Sequence, residues 1–145
     1  MKHLLLDSNV VIDFLSDRKP FSLQAARLFD YISKGKVKIY LTAVSYNNIY
    51  YLVRKLTNHK EAIRLLKEIE KITETIDTTS AVIRNALDAP FKDFEDAIQY
   101  FTALTHKKMD AIITRNGNDF KNSTLAILSP EEALGIIESS SEDES

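Results

Sequence analysis

The chain contains no cysteine, so neither a disulfide nor a thiolate metal site is available, and any bound metal must be held by oxygen or imidazole. That restriction favours hard cations such as Mg²⁺ or Mn²⁺. Glycine is almost as scarce. Three residues, at 35, 117 and 135, allow no glycine-rich loop to cradle a phosphate. The histidines His3, His59 and His106 are scattered, surface-like by context and never paired at zinc spacing. Long hydrophobic runs are missing too. The apolar start, ending at Leu6, is too short for a signal peptide and nothing reaches transmembrane length, so a soluble, cytoplasmic protein without a membrane role is expected. Charge of one sign is also lacking. The formal net charge is −2, yet Glu138, Glu142, Asp143 and Glu144 crowd the end, and the remainder has a small basic excess that decides nothing about nucleic acid.

What is present suits one folded domain, because 145 residues with 44% apolar content can bury a core. His3 to Leu6 reads as a buried strand running into a helix over Val10 to Leu15. Apolar residues at three- and four-residue intervals predict a helix over Phe21 to Ser33, followed by a strand at Val37 to Leu41. A helix from about Tyr46 to Lys55, capped by Thr42 or Ser45, carries Ile49, Leu52, Val53 and Leu56 on its inward stripe. A second helix, Lys60 to Lys71, turns Ala62, Ile63, Leu66 and Ile69 inward. Thr73 to Asp77 reads as a strand and Ser80 to Ala89 as a helix. Another helix runs from Asp93 to about Thr105. Strands at Ala111 to Ile113 and Leu125 to Leu128, and a helix opening at Ser129-Pro130, complete the pattern. Short apolar strands alternating with helices imply a mainly parallel sheet covered on both faces, an α/β sandwich. The domain spans 1–137, and the serine-rich acidic stretch 138–145 is expected to be disordered.

In open parallel sheets, sites form beyond the carboxyl ends of the strands. Asp7 follows the first strand, Asp119 lies in the loop after Ile113, and Asp96 lies in the first turns of a helix. Each also has a plain structural reading. Asp7 could cap the helix beginning near Val10, Asp93, Glu95 and Asp96 could complement a helix dipole, and Asp119 could be an ordinary loop residue. Asp93 and Asp96, three apart, can face the same side. Crowded carboxylates repel unless solvated or neutralised by a cation, which gives a metal site a physical motive. Arg115, between Thr114 and Asn116 in the same loop, is within reach of a phosphate. Other basic residues, including the cluster at 106–108, read as solvated faces.

These segments together resemble the PIN domain nucleases, in particular the toxin-like, VapC-type branch found in bacterial toxin–antitoxin pairs. The resemblance covers Leu4 to about Ala133. It rests on Leu5-Leu6-Asp7-Ser8-Asn9-Val10-Val11-Ile12-Asp13, on Phe94-Glu95-Asp96-Ala97-Ile98-Gln99, and on Ile113-Thr114-Arg115-Asn116-Gly117-Asn118-Asp119-Phe120. It implies a three-layer α/β/α sandwich around a five-stranded, mainly parallel sheet, and Mg²⁺- or Mn²⁺-dependent hydrolysis of RNA phosphodiester bonds. It assigns metal ligation and catalysis to Asp7, Asp96 and Asp119, an auxiliary role to Asp93, and orienting roles to Ser8, Thr114 and Asn116. Bound metal would lower the pKa of a water and stabilise charge on the leaving oxygen.

The sequence departs from the family at the second acidic position, usually a glutamate, where Asn48 stands. An amide can ligate through its carbonyl but brings no charge, so metal binding should be weaker than with four carboxylates. Some branches of the family carry asparagine there. The competing expectation is a PIN-like domain that binds RNA or a protein without cleaving. A phosphatase or other flavodoxin-like protein would need the glycine loop that is missing. Tyr46, Tyr50 and Tyr51 are expected in core or dimer packing before base stacking, as are Phe21, Phe29 and Phe101. The amphipathic hairpin Tyr46 to Lys71 is a candidate homodimer surface. The implied partners are RNA, an antitoxin and a second copy of the chain.

Overall fold

In the computed structural model, residues 1–120 and 123–143 are described, without the side chains of 118, 119 and 140–143. In order come β1 (Lys2–Leu6), α1 (Ser8–Leu15), α2 (Phe21–Ser33), β2 (Val37–Thr42), α3 (Ala43–Leu56), α4 (His59–Ile72), β3 (Glu74–Ile76), α5 (Ser80–Asp88), α6 (Phe94–Leu104), β4 (Ala111–Ile113), a 3-10 turn (Gly117–Phe120), β5 (Ala126–Leu128) and α7 (Pro130–Asp143). The expected acidic tail, 138–145, falls largely outside the described side chains. Among the described residues no helix is long and apolar enough to cross a membrane.

The five strands form one sheet in the order β3-β2-β1-β4-β5, and every described pairing is parallel. This is the expected α/β/α sandwich. Alternate strand residues serve opposite faces. Leu4 and Leu6 of β1, Val37, Ile39 and Leu41 of β2, and Ala111 and Ile113 of β4 join the core beneath α1, α2, α3, α4 and α7. Leu5, Tyr40 and Ile112 point the other way and pack with Tyr100 and Ala103 of α6. Each fully buried aliphatic side chain contributes roughly 1.5–3 kcal/mol, so the central strands anchor both layers. The edge strands β3 and β5 have three residues each, which leaves little open ladder for a foreign strand.

Strand order reverses about β1. The chain first builds outward through β2 and β3, then returns to place β4 on the other side of β1. Loops leaving β1 and β4 therefore diverge at one end of the sheet and open a crevice there. The β1 loop delivers Asp7 and the β4 loop delivers Thr114.

Three local expectations differ from the structure. The third helix starts at Ala43 rather than Tyr46, because buried Thr42 is its cap: Oγ1 accepts from the Ser45 amide at 3.1 Å and meets Ser45 Oγ at 2.9 Å. Leu52 and Leu56 are 44% and 64% exposed, since α3 turns Ile49 and Val53 to the core and its apolar stripe is wider than the contact. His3 and His106 are not isolated. Their rings pack around Tyr40, with His3 Nδ1 2.8 Å from the Tyr40 hydroxyl, at the end of the sheet opposite the crevice. Burial lowers the His3 pKa, against the raising effect of Asp110.

Replacing Thr42 by Ala removes a buried cap and is expected to destabilise the fold by about 1–2 kcal/mol. Urea unfolding should show a lower midpoint at an unchanged m-value. An unchanged midpoint would show that the cap contributes nothing.

Candidate metal centre

Asp7 occupies the N-cap position of α1, yet its side chain forms no capping hydrogen bond. The carboxylate is turned into the crevice instead. Gln99 Nε2 donates to Oδ1 at 3.2 Å and Thr114 Oγ1 donates to Oδ2 at 2.9 Å. Both donors are neutral, and both come from elements more than 90 residues away in sequence. Asp7 is 4% exposed. A buried carboxylate is costly unless hydrogen bonded or paired with a cation, and here it has two neutral donors.

The first turn of α6 closes the crevice from the other layer. Asp93 is the N-cap of α6, its Oδ1 accepting from the Asp96 amide at 3.0 Å. Asp93 is exposed and Asp96 buried. Glu95 Oε1 accepts from Ser8 Oγ at 2.6 Å and from Gln99 Nε2 at 3.2 Å. One amide group thus bridges Asp7 and Glu95, separating two carboxylates that would otherwise face each other directly. Gln99 is wholly buried and its carbonyl, Oε1, has no hydrogen-bond partner among the described residues. The sequence alone gives Gln99 no role and Glu95 only that of a charge complementing the helix dipole. Their signal was the helical spacing: 95, 96 and 99 share a face.

The other expected residues are placed as follows. Ser8 is buried and committed to Glu95. Thr114 Oγ1 also accepts the Asn116 amide at 3.1 Å, which ties the loop back to Asp7. Asn48 is half-buried on α3, without a side-chain hydrogen bond among the described residues. Asp119 belongs to the 3-10 turn, but its side chain lies outside the described residues. Arg115 is not a free cation. Its Nη2 donates to Asp13 Oδ1 at 3.2 Å, its Nε lies 2.7 Å from Asp13 Oδ2 without hydrogen-bond alignment, and its guanidinium stacks 4.0 Å over Phe21. Asp13 is 1% exposed. Burial pushes its carboxyl pKa up, while Arg115 and Arg18 pull it back.

Do these groups suit a divalent cation? Among the described residues no three histidine, aspartate or glutamate side chains converge closely enough to hold one. The donor chemistry does fit. The crevice offers carboxylate and amide oxygens without sulfur, Asp7 is diverted from its cap, and the unpartnered Gln99 carbonyl is an oxygen donor in the same cluster. Asp7 and Asp96 are both buried carboxylates, at 4% and 9% exposure.

A family model described as PIN domain matches residues 3–118. No curated protein matches significantly in sequence. Among solved structures, the DNA-bound VapBC complex from Salmonella typhimurium aligns with a TM-score of 0.67 at 12% identity, covering 90% of this chain and 99% of that one. A toxin–antitoxin complex from Klebsiella pneumoniae gives 0.62 at 20% identity, covering 88% and 97%. Mycobacterium tuberculosis VapC20, a Sarcin-Ricin loop cleaving toxin, gives 0.59 at 14% identity, covering 75% and 86%. At such identities the likeness to these structures is one of fold.

Two outcomes follow from this geometry. Thr114→Val keeps the shape but removes a donor to a buried carboxylate, and should cost about 1.5–3 kcal/mol in denaturant unfolding. No change would mean that Thr114 does not hold Asp7. For Asp13 the sign follows from its raised pKa: the folded state binds the proton more tightly than the unfolded chain. The stability it contributes is therefore full below the ordinary carboxylate value and lost as pH rises through the raised one. Asp13→Asn should flatten that decline, read from urea midpoints across about pH 3 to 6. An identical pH profile would contradict the shift.

Proposed function

Since the chain belongs to the PIN-domain family, we propose that it is a Mg²⁺- or Mn²⁺-dependent endoribonuclease, the toxin of a toxin–antitoxin pair acting on cytoplasmic RNA. The observation that carries this reading is the Asp7 carboxylate, buried at the switch point and held by neutral donors instead of capping its helix. A plain helix cap would have no need of Gln99 or Thr114. When bound, the cation supplies Lewis acidity and an activated water for phosphodiester hydrolysis. Asp7 and Asp96, with Asp119, are its proposed carboxylate ligands, and Asn48 its neutral one. Gln99 and Thr114 orient Asp7, while Ser8 orients Glu95. Asp93, with one oxygen engaged at the α6 cap, adds negative charge at the mouth, and Asn116 and Arg115, in the loop after β4, are the proposed substrate contacts. No side chain is required as nucleophile.

The antitoxin partner is supported by the folds the chain resembles, two of which are described as VapBC or toxin–antitoxin complexes. Tyr51, Leu52 and Leu56 on α3 are exposed apolar surface suited to protein contact, including a homodimer. A second reading, binding without cleavage, is favoured by one observation: Asn48 brings no charge to the position where the family usually has an acid.

Titration of Mn²⁺ by calorimetry into the protein and its Asp96→Ala variant, beside an RNA-cleavage assay, tests the proposal. The expected outcome is binding and cleavage by the parent, with at least a tenfold loss of metal affinity and loss of cleavage in the variant. RNA bound but left intact, whether or not chelator is added, would establish the second reading instead.

A further inference from the structure

Asp13, on α1, faces two arginines. Arg18 Nε lies 3.1 Å from its Oδ1, and Arg115 reaches both of its oxygens. One carboxylate between two guanidiniums leaves an excess positive charge, and five N–H donors on each arginine exceed what two oxygens accept. The arginine side chains are 42% and 24% exposed while the Asp13 side chain is 2% exposed, so the acid anchors them from below. Among the described residues, the terminal nitrogens of Arg18 and Nη1 of Arg115 have no hydrogen-bond partner. Phe21 backs the Arg115 guanidinium, and Asp17, at φ 52°, turns the chain out of α1 so that the Arg18 amide returns to the Asp13 carbonyl at 3.0 Å. Both cations are thus fixed at modest entropic cost.

Their position relative to the acidic crevice gives them a use. Asp13 is six residues beyond Asp7, about 9 Å along the helix at 1.5 Å per residue. Arg115 directly follows Thr114, which holds Asp7. The carboxylates in the crevice repel a polyanion, and a substrate strand needs fixed cations nearby to seat its backbone. We propose that Arg18 and Arg115, clamped on Asp13, form a phosphate seat for the RNA strand beside the cleaved bond. The seat rests on the ribonuclease reading and adds to it a substrate-binding subsite with Arg18 as its exposed contact. Planar guanidiniums suit phosphate oxygens as paired donors.

The test is fluorescence anisotropy of a labelled, mixed-sequence single-stranded RNA at several salt concentrations, using Asp96→Asn protein to keep the strand intact. Adding Arg18→Gln should weaken binding about tenfold and make the slope of log affinity against log salt shallower by about one. Arg18→Lys, which keeps the charge, should preserve the slope. In the chain with Asp96 intact, Arg18→Gln should leave Mn²⁺ affinity unchanged by calorimetry, which separates the seat from the metal centre. Unchanged RNA affinity and slope in Arg18→Gln would overturn the seat and leave Asp13 as a structural clamp. If the protein with Asp96 intact neither binds nor cleaves RNA in the presence of Mn²⁺, the ribonuclease reading fails and the seat falls with it.

Discussion

The arrangement depends on a carboxylate withheld from the place where local structure would use it. At the end of β1 the backbone enters α1 directly, and Asp7 is the residue that should accept the orphan amides of the first turn. Its oxygens are taken by Gln99 from α6 and Thr114 from the β4 loop. Those contacts exist only once β4 has paired beside β1 and α6 has packed on the opposite face, so the site is assembled by the tertiary fold. The helix gives up a cap worth about 1 kcal/mol. In return a negative charge sits at the crevice floor with two fixed donors.

Around that charge the fold separates like from like. The Gln99 amide stands between Asp7 and Glu95, Ser8 engages Glu95 from α1, and Asp93 spends one oxygen on the α6 cap. Positive charge is kept to one side, where Asp13 gathers Arg18 and Arg115. Asp7 thus stands just before α1, while two arginines from outside the helix gather on Asp13 near its other end. That separation of charge suits the proposed metal centre and the proposed phosphate seat beside it.

The layers were legible because their signals are local. The apolar run at Leu4 to Leu6, the helical spacing from Phe21 to Ser33 and the proline opening α7 each specify an element without help from the rest of the chain. Candidate site acids could be read from their places after strands, but their partners could not. Nothing in the sequence links Asp13 to Arg115 across 102 residues, so the carboxylate that clamps this arginine could not be read. Gln99 offered only its helical spacing from Glu95 and Asp96. The inward stripe of α3 was overdrawn at Leu52 and Leu56 because periodicity reports which residues are apolar, and not how wide a neighbouring helix is. The paired histidines at the far sheet end were invisible for the same reason as Asp13: they meet through Tyr40, which lies 37 residues from His3.

The central claim is that the crevice between β1 and β4 is a metal site organised by Asp7. Crystals soaked in Mn²⁺ and measured at its absorption edge test this most directly. The account predicts an anomalous peak within coordination distance of Asp7 and Asp96. A peak confined to other surface carboxylates, or no peak with Asp7 still bonded to Gln99 and Thr114, would contradict it.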